Sequence, residues 1–183
     1  MRVELLIIGN EILIGKTRDT NSYWMARRIT KYGHRVTRIT TIGDALEEIS
    51  GTLKEILARG PDLIITGGGL GPTFDDMTLE GIAKGLGREL KLDEGAYESI
   101  KKAYKNAYEK GIVKLEGMTP EREKMAHLPE DSIPLPNTVG TAPGVKIKEE
   151  DVIIYCLPGV PAEMKGIFRN VIKPFLKENE GKF

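Results

Sequence analysis

With 183 residues, 40% of them hydrophobic, the chain has enough apolar mass for one sizeable core and reads as a single domain over residues 1–183. Basic and acidic residues balance at 27 each, and no basic block supplies the footprint of a nucleic-acid surface. One cysteine excludes an intramolecular disulfide or cysteine-cluster metal site, and no run approaches the ~20 apolar residues of a membrane helix, so a cytoplasmic protein without nucleic-acid or membrane partners is expected.

Val3 to Ile8 is almost wholly apolar, the pattern of a central strand covered on both faces, and Gly9-Asn10-Glu11 turns the chain at its carboxyl end. Asp19-Thr20-Asn21 is an N-cap cluster ahead of a helix with Met25, Ile29 and Tyr32 on one face, closed by Gly33. Arg35 to Ile42 is rich in β-branched residues and ends at Gly43-Asp44. Leu46, Ile49, Leu53, Ile56 and Leu57 then mark an amphipathic helix stopped by Gly60-Pro61. Leu63-Ile64-Ile65, too short for a helix, is a third strand. It runs into Gly67-Gly68-Gly69-Leu70-Gly71-Pro72-Thr73, after which Asp75 and Asp76 read as the acidic first turn of a helix carrying Leu79, Ile82, Ala83 and Leu86. Three successive strand–helix units imply an α/β fold, with a mostly parallel sheet and helices on both faces.

Residues 90–126 form a helical excursion, with Tyr97, Ile100, Tyr104, Ala107 and Tyr108 on one face and a second helix opening at Thr119-Pro120. Its tyrosines motivate an expected homo-oligomer. Leu128 to Gly144 is a Pro/Gly-rich loop held between ordered elements, the setting of a site. Val145 to Lys148 and Val152 to Leu157 are strands around the Glu149-Glu150-Asp151 turn. Pro158-Gly159-Val160-Pro161 then repeats the order strand end, glycine, helix start, and residues 177–183 read as a frayed tail.

Ligands of open parallel sheets bind beyond the carboxyl ends of the strands, so Gly9-Asn10-Glu11, Gly43-Asp44, Gly67 to Asp76 and Pro158 to Pro161 should converge on one crevice. Glycines and a helix start can present backbone N–H groups to phosphate. Neither a Walker loop nor a dinucleotide fingerprint is present. Adjacent Asp75 and Asp76 would repel phosphate unless a divalent cation lies between, and with Glu11 and Asp44 they form a candidate oxygen ligand set for Mg²⁺, Mn²⁺ or a similar ion. Such an ion would screen phosphate and activate water. Lys16, Arg18 and Lys124 are the candidate cations; His34 and His127 show no metal spacing.

Gly9-Asn10-Glu11-Ile12-Leu13-x-Gly15, Asp19-Thr20-Asn21-Ser22, Thr66 through Thr78, Gly140-Thr141-Ala142-Pro143-Gly144 and Leu157-Pro158-Gly159-Val160-Pro161-x-Glu163-Met164 together resemble the N-terminal domain of the competence/damage-inducible protein A (CinA) family. That domain belongs to the molybdopterin-binding superfamily of MoaB and MogA. The resemblance implies a three-layer αβα sandwich with a nucleotide or pterin pocket over the glycine loop. It also implies an ADP-ribose pyrophosphatase, in which a divalent metal (Mg, Mn, Co or Ni, with K⁺) supports hydrolysis to AMP and ribose 5-phosphate. Asp44 and Asp76 match the acidic pair of the superfamily's adenylyltransferases and become the candidate catalytic and metal residues, with Glu11 and Asp75 as further metal ligands. Gly67 to Thr73, Gly140 to Gly144, Pro158, Gly159 and Pro161 become the candidate phosphate and nucleotide contacts. Leu70 departs from the Thr usual in the adenylyltransferases, which argues against adenylyl transfer but leaves pterin binding open. CinA proteins commonly continue into an amidase domain that this sequence does not reach, so the resemblance does not imply deamidation here, and a separate amidase is a candidate partner. The expected function is therefore a metal-dependent nucleotide pyrophosphatase. The alternatives are a molybdopterin-binding or transfer protein of molybdenum-cofactor biosynthesis and a non-catalytic nucleotide-binding module.

Overall fold

Period-two alternation along the first strand, β1 (Arg2–Ile8), sets the layers of the molecule in a computed structural model that describes residues 1–181. Val3, Leu5 and Ile7 pack to one side with Met25, Ile29, Met164 and Phe168, while Leu6 and Ile8 pack to the other with Ile49, Leu53 and Ile82. Both faces are buried, which is why the strand reads as a continuous apolar run. Fully burying such side chains contributes roughly 1.5–3 kcal/mol each.

The chain continues through α1 (Asn10–Leu13), α2 (Asn21–Lys31), β2 (Arg35–Ile42), α3 (Leu46–Ala58), β3 (Leu63–Gly67) and α4 (Thr78–Leu86). The second half comprises β4 (Leu90–Leu92), α5 (Glu94–Glu109), α6 (Pro120–Lys124), β5 (His127–Pro129), β6 (Ser132–Leu135), β7 (Gly144–Glu149), β8 (Val152–Leu157), α7 (Pro161–Ile167) and α8 (Lys173–Glu178). A π-helical turn, Phe168–Ile172, joins α7 to α8. The main sheet has six strands in the order β2-β1-β3-β8-β7-β6. β2, β1, β3 and β8 are mutually parallel; β7 runs antiparallel to both β8 and β6. Apolar residues of α2, α7 and α8 cover one face and those of α3, α4 and α5 the other, giving the expected three-layer αβα sandwich.

Local signals explain most boundaries. Gly87 closes α4 in the left-handed region at φ 66°, and Thr119 caps α6, accepting from the Arg122 N–H with Pro120 in the first turn. At α2 the cap is Asp19, whose Oδ1 accepts from the N–H groups of Asn21 and Ser22, both at 3.0 Å. Glu4 is the one acid on β1, and Arg59 at the end of α3 donates to both its oxygens, at 2.9 and 2.7 Å.

Some expectations are corrected. Asp75 and Asp76 precede α4 rather than form its first turn, because Asp76 folds back to accept from the Thr73 N–H at 2.9 Å and so competes with helix initiation. The Pro/Gly-rich track is not all loop: β5 and β6 lie within or beside it, and β4 pairs with β5 in a separate two-stranded sheet. In the helical excursion Ile100 and Tyr104 are buried, but Tyr108 is 42% exposed. Of the expected tail, Lys177 and Glu178 are helical, while Lys182 and Phe183 lie outside the described residues.

Candidate functional site

The four segments following β1, β2, β3 and β8 do converge. They border a cavity of about 380 Å³ at the carboxyl ends of those strands, closed on a fifth side by Thr141 and Ala142. Gly9 and Glu11 come from the end of β1, Asp44 from β2, Gly68 to Thr73 with Asp75 and Asp76 from β3, and Pro158, Gly159 and Val160 from β8.

Two glycines are compulsory here. Gly68 has φ 111°, and a Cβ on it would lie 2.1 Å from the Ile8 carbonyl oxygen; Gly69 has φ 65°, and its Cβ would lie 2.2 Å from Thr78 Oγ1. Thr78 fixes the turn from behind by donating from Oγ1 to the Gly68 carbonyl at 2.9 Å. The N–H of Gly68 is used by the Leu157 carbonyl at 3.0 Å, and that of Thr73 by Asp76. The N–H groups of Gly69, Leu70 and Gly71 have no acceptor among the described residues. Successive free donors in such a loop make an anion-binding concavity. Leu70 itself turns inward and is 5% exposed in the core, so the loop lacks the hydroxyl that a threonine would carry there.

The acids surround this loop. Asp44 Oδ2 accepts from the Asn10 N–H at 2.8 Å, which links the ends of β1 and β2. Burial raises the Asp44 pKa, the Asn10 N–H opposes the rise, and Glu11, Asp75 and Asp76 add repulsion. Asp75 is exposed, and the Thr73 hydroxyl holds its carboxyl below the usual range. That hydroxyl faces both Asp75 and Asp76 and has one proton to give. No lysine or arginine is among the residues bordering the cavity. Lys124 approaches only the outer side of the loop, donating to the carbonyls of Thr73 and Asp76, and Lys16 and Arg18 stay away from the cavity.

Among the described residues, no three His, Cys, Asp or Glu side chains gather closely enough to hold a metal ion by themselves. The donor set still suits Mg²⁺, which is commonly held by one or two carboxylates together with ligand phosphates and water. Asp44 and Asp76 are the acids best placed for that, each bonded to backbone on one side and bordering the cavity.

Some sequence-derived contacts fall elsewhere. Gly67 is buried within β3, Gly144 opens β7, and Pro161 is the first residue of α7. Gly140 and Pro143 border a neighbouring groove beside α5 instead of the cavity. Two residues within the sequence motifs carry roles that the motifs alone do not assign. Asn21 holds the β8 loop by donating from Nδ2 to the Gly159 carbonyl at 2.8 Å. Glu163, in the first turn of α7, also borders the cavity, a position signalled by its spacing from Pro161.

Comparison with known proteins agrees with this geometry. The family described as "Probable molybdopterin binding domain" matches residues 4–178. A protein of Pyrococcus horikoshii is 44% identical over 177 residues, covering 97% of this chain and 69% of the relative. One of Sulfolobus acidocaldarius is 47% identical over 174 residues, covering 95% and 63%. Among solved structures, the CinA protein of Thermoplasma acidophilum superposes with a TM-score of 0.85 at 39% identity, over 95% of this chain and 98% of that one. The molybdopterin biosynthesis enzyme MoaB of Thermus thermophilus superposes with a TM-score of 0.61 at 20% identity over 97% and 96%, a likeness of fold alone. By this family match and the CinA likeness, the chain belongs to the molybdopterin-binding domain family, in its CinA-type branch.

Proposed function

We propose that the cavity binds a phosphorylated pterin of the molybdopterin type, with its phosphate on the Gly68–Thr73 loop. The observation that carries this reading is the run of unpaired N–H groups on Gly69, Leu70 and Gly71, three residues that border a cavity of ligand size in a chain of molybdopterin-binding family. A divalent cation bound by Asp44 and Asp76 would neutralise phosphate charge and polarise a phosphoryl oxygen. The chain's own part is to orient the phosphate with fixed donors. The family match supports this reading, the second of the sequence expectations, over the pyrophosphatase.

The pyrophosphatase remains as a second reading, favoured by two observations. Leu70 fills with core packing the place where adenylyltransferases carry a hydroxyl, and the likeness to CinA is stronger than that to MoaB. The same loop and acids would then grip the pyrophosphate of ADP-ribose. Both readings are tested together by titrating the purified chain with a phosphorylated pterin, following pterin fluorescence, and by incubating it with ADP-ribose, FAD and NAD. Each assay is run with Mg²⁺, Mn²⁺, Co²⁺, Ni²⁺ or EDTA. Saturable pterin binding without AMP release supports the first reading. AMP release that needs metal and disappears in Asp76→Asn supports the second, and absence of both overturns the site.

A further inference from the structure

Glu163 stands apart from the other acids. It borders the cavity beside Thr141, Ala142 and Val160, and it is partly buried. Burial raises the pKa of its carboxyl, opposed by the Asn137 amide and the Ala142 backbone, and no neighbouring charge contributes. By contrast, Asp44 feels Glu11, Asp75 and Asp76. Glu163 has no ion-pair partner among the described residues. The cavity lining therefore has two chemically different parts, a glycine loop with unpaired N–H groups and clustered acids, and a single carboxylate that bears no charge coupling to them, beside Thr141, Ala142 and Val160.

That carboxylate is aimed. Asn137 donates from Nδ2 to Glu163 Oε2 and to the Ala142 carbonyl at 2.8 Å, while its Oδ1 accepts from the N–H groups of Val139 and Gly140 at 3.0 and 2.9 Å. Every hydrogen-bonding atom of the Asn137 side chain is thus spent on holding this loop and this carboxylate. Gly140 packs against the carboxylate so closely that a Cβ there would lie 2.1 Å from Glu163 Cδ. The side chain cannot move further toward the loop, and the acceptor positions of the carboxylate not taken by Asn137 and the Ala142 backbone are available to a ligand in the cavity that Glu163 borders. A staple alone would need one acceptor oxygen; an ionised carboxylate offers several acceptor positions on two oxygens.

We propose that Glu163 determines ligand specificity by accepting a pair of adjacent neutral donors from the non-phosphate half of the ligand. Two chemical groups present such a pair: the amino–amide edge of a pterin or guanine ring, and the vicinal hydroxyls of a ribose. An adenine edge sets an acceptor beside its amino group and satisfies only one of the two contacts. The inference rests on the proposed binding of a phosphorylated ligand in this cavity and adds which part of that ligand is read, and by what.

The test is calorimetric titration of the full chain and of Glu163→Gln with GMP, AMP and 2′-deoxy-AMP at fixed Mg²⁺, with melting temperature measured alongside. Gln keeps an acceptor for Asn137, so the loop should stay stapled and the melting temperature should not fall. If the ring edge is read, the parent chain binds GMP about tenfold or more tightly than AMP; if the ribose is read, it binds AMP that much more tightly than 2′-deoxy-AMP. In Glu163→Gln the operative ratio falls to near one, while the ligand lacking the donor pair keeps its affinity. Both ratios near one in the parent chain, or equal weakening of all three ligands in the variant, overturn the role of Glu163 while leaving phosphate binding intact. Failure of all three to bind overturns the proposal, and the pterin titration decides separately whether the site itself falls.

Discussion

Lys124 Nζ lies 2.8 Å from the Asp76 backbone oxygen and also donates to the carbonyl of Thr73. A cation from α6 therefore clamps the acid loop by hydrogen bonds to its carbonyls and not to its carboxylates, and its charge also favours the ionised form of the exposed Asp75. Lys124→Met removes two charge-assisted hydrogen bonds from a partly exposed site, so the expected stability loss is about 1–2 kcal/mol. The larger effect falls on the ligand: with the loop unclamped, affinity for a phosphorylated ligand should drop about tenfold, in line with one to two such bonds. Melting curves and ligand titrations of the same preparation check both, and unchanged affinity would show that the loop is held by Asp76 and Thr73 alone.

The Gly68 position tests whether the glycine loop is shaped by backbone contact. Gly68→Ala must accommodate φ 111° and a Cβ 2.1 Å from the Ile8 carbonyl oxygen, with no flexible side chain to give way. Loss of more than ~3 kcal/mol is expected, measured by denaturant unfolding. Gly15→Ala is the control: its φ of 71° is also left-handed, but nothing lies within 4 Å of the added Cβ. It should cost only about 1–2 kcal/mol. Similar losses for the two would mean that torsion, not the approach to β1, makes Gly68 necessary.

Much of this arrangement is legible from sequence because it is local. The apolar runs of β1 and β3 reveal strands buried on both faces, and the glycines after each reveal where the chain turns toward the ligand. β4, β5 and β6 are not legible in the same way. They are three or four residues long, and Pro129 and Pro134 mask the last two, though β6 tolerates proline because it is the edge of its sheet. Asp75 and Asp76 have the composition of a helix start, but the competing bond between Asp76 and the Thr73 N–H keeps them out of α4. The Gly140–Gly144 segment shows the other limit. Which of its residues meet the cavity is decided by Asn137 and Glu163, a contact between residues 26 apart that no spacing within the segment encodes.

The pair of Glu4 and Arg59 gives a stability prediction independent of the site. Glu4 is 4% exposed on β1, and Arg59 donates to both its oxygens from Nε and Nη2. Arg59→Met leaves that carboxylate buried and unpaired, at an expected cost of about 3–5 kcal/mol. The double variant Glu4→Met with Arg59→Met removes the stranded charge and should recover most of the loss. Urea unfolding of the two single variants and the double one closes the cycle, and simple additivity would mean that the two side chains do not act as a pair.

Glu163 also carries a pH signature of definite sign. Its folded-state pKa is raised from 4.5 by burial, so protonation favours the folded chain. The stabilisation that this gives is fully present below the unfolded value and is lost as pH rises through the folded one. Glu163→Gln, which cannot ionise, avoids that loss, so its melting temperature relative to the parent should climb as pH rises from about 4 to neutrality. Binding runs the opposite way. A ligand that offers donors prefers the ionised carboxylate, so its affinity for the parent chain should weaken as pH falls through the raised pKa, while that for Glu163→Gln stays flatter. Asp44, also raised, titrates in the same cavity of both proteins, and the difference between their two profiles removes its contribution. Parallel profiles of stability and of affinity for the two proteins would mean that Glu163 neither carries a burial penalty nor meets the ligand.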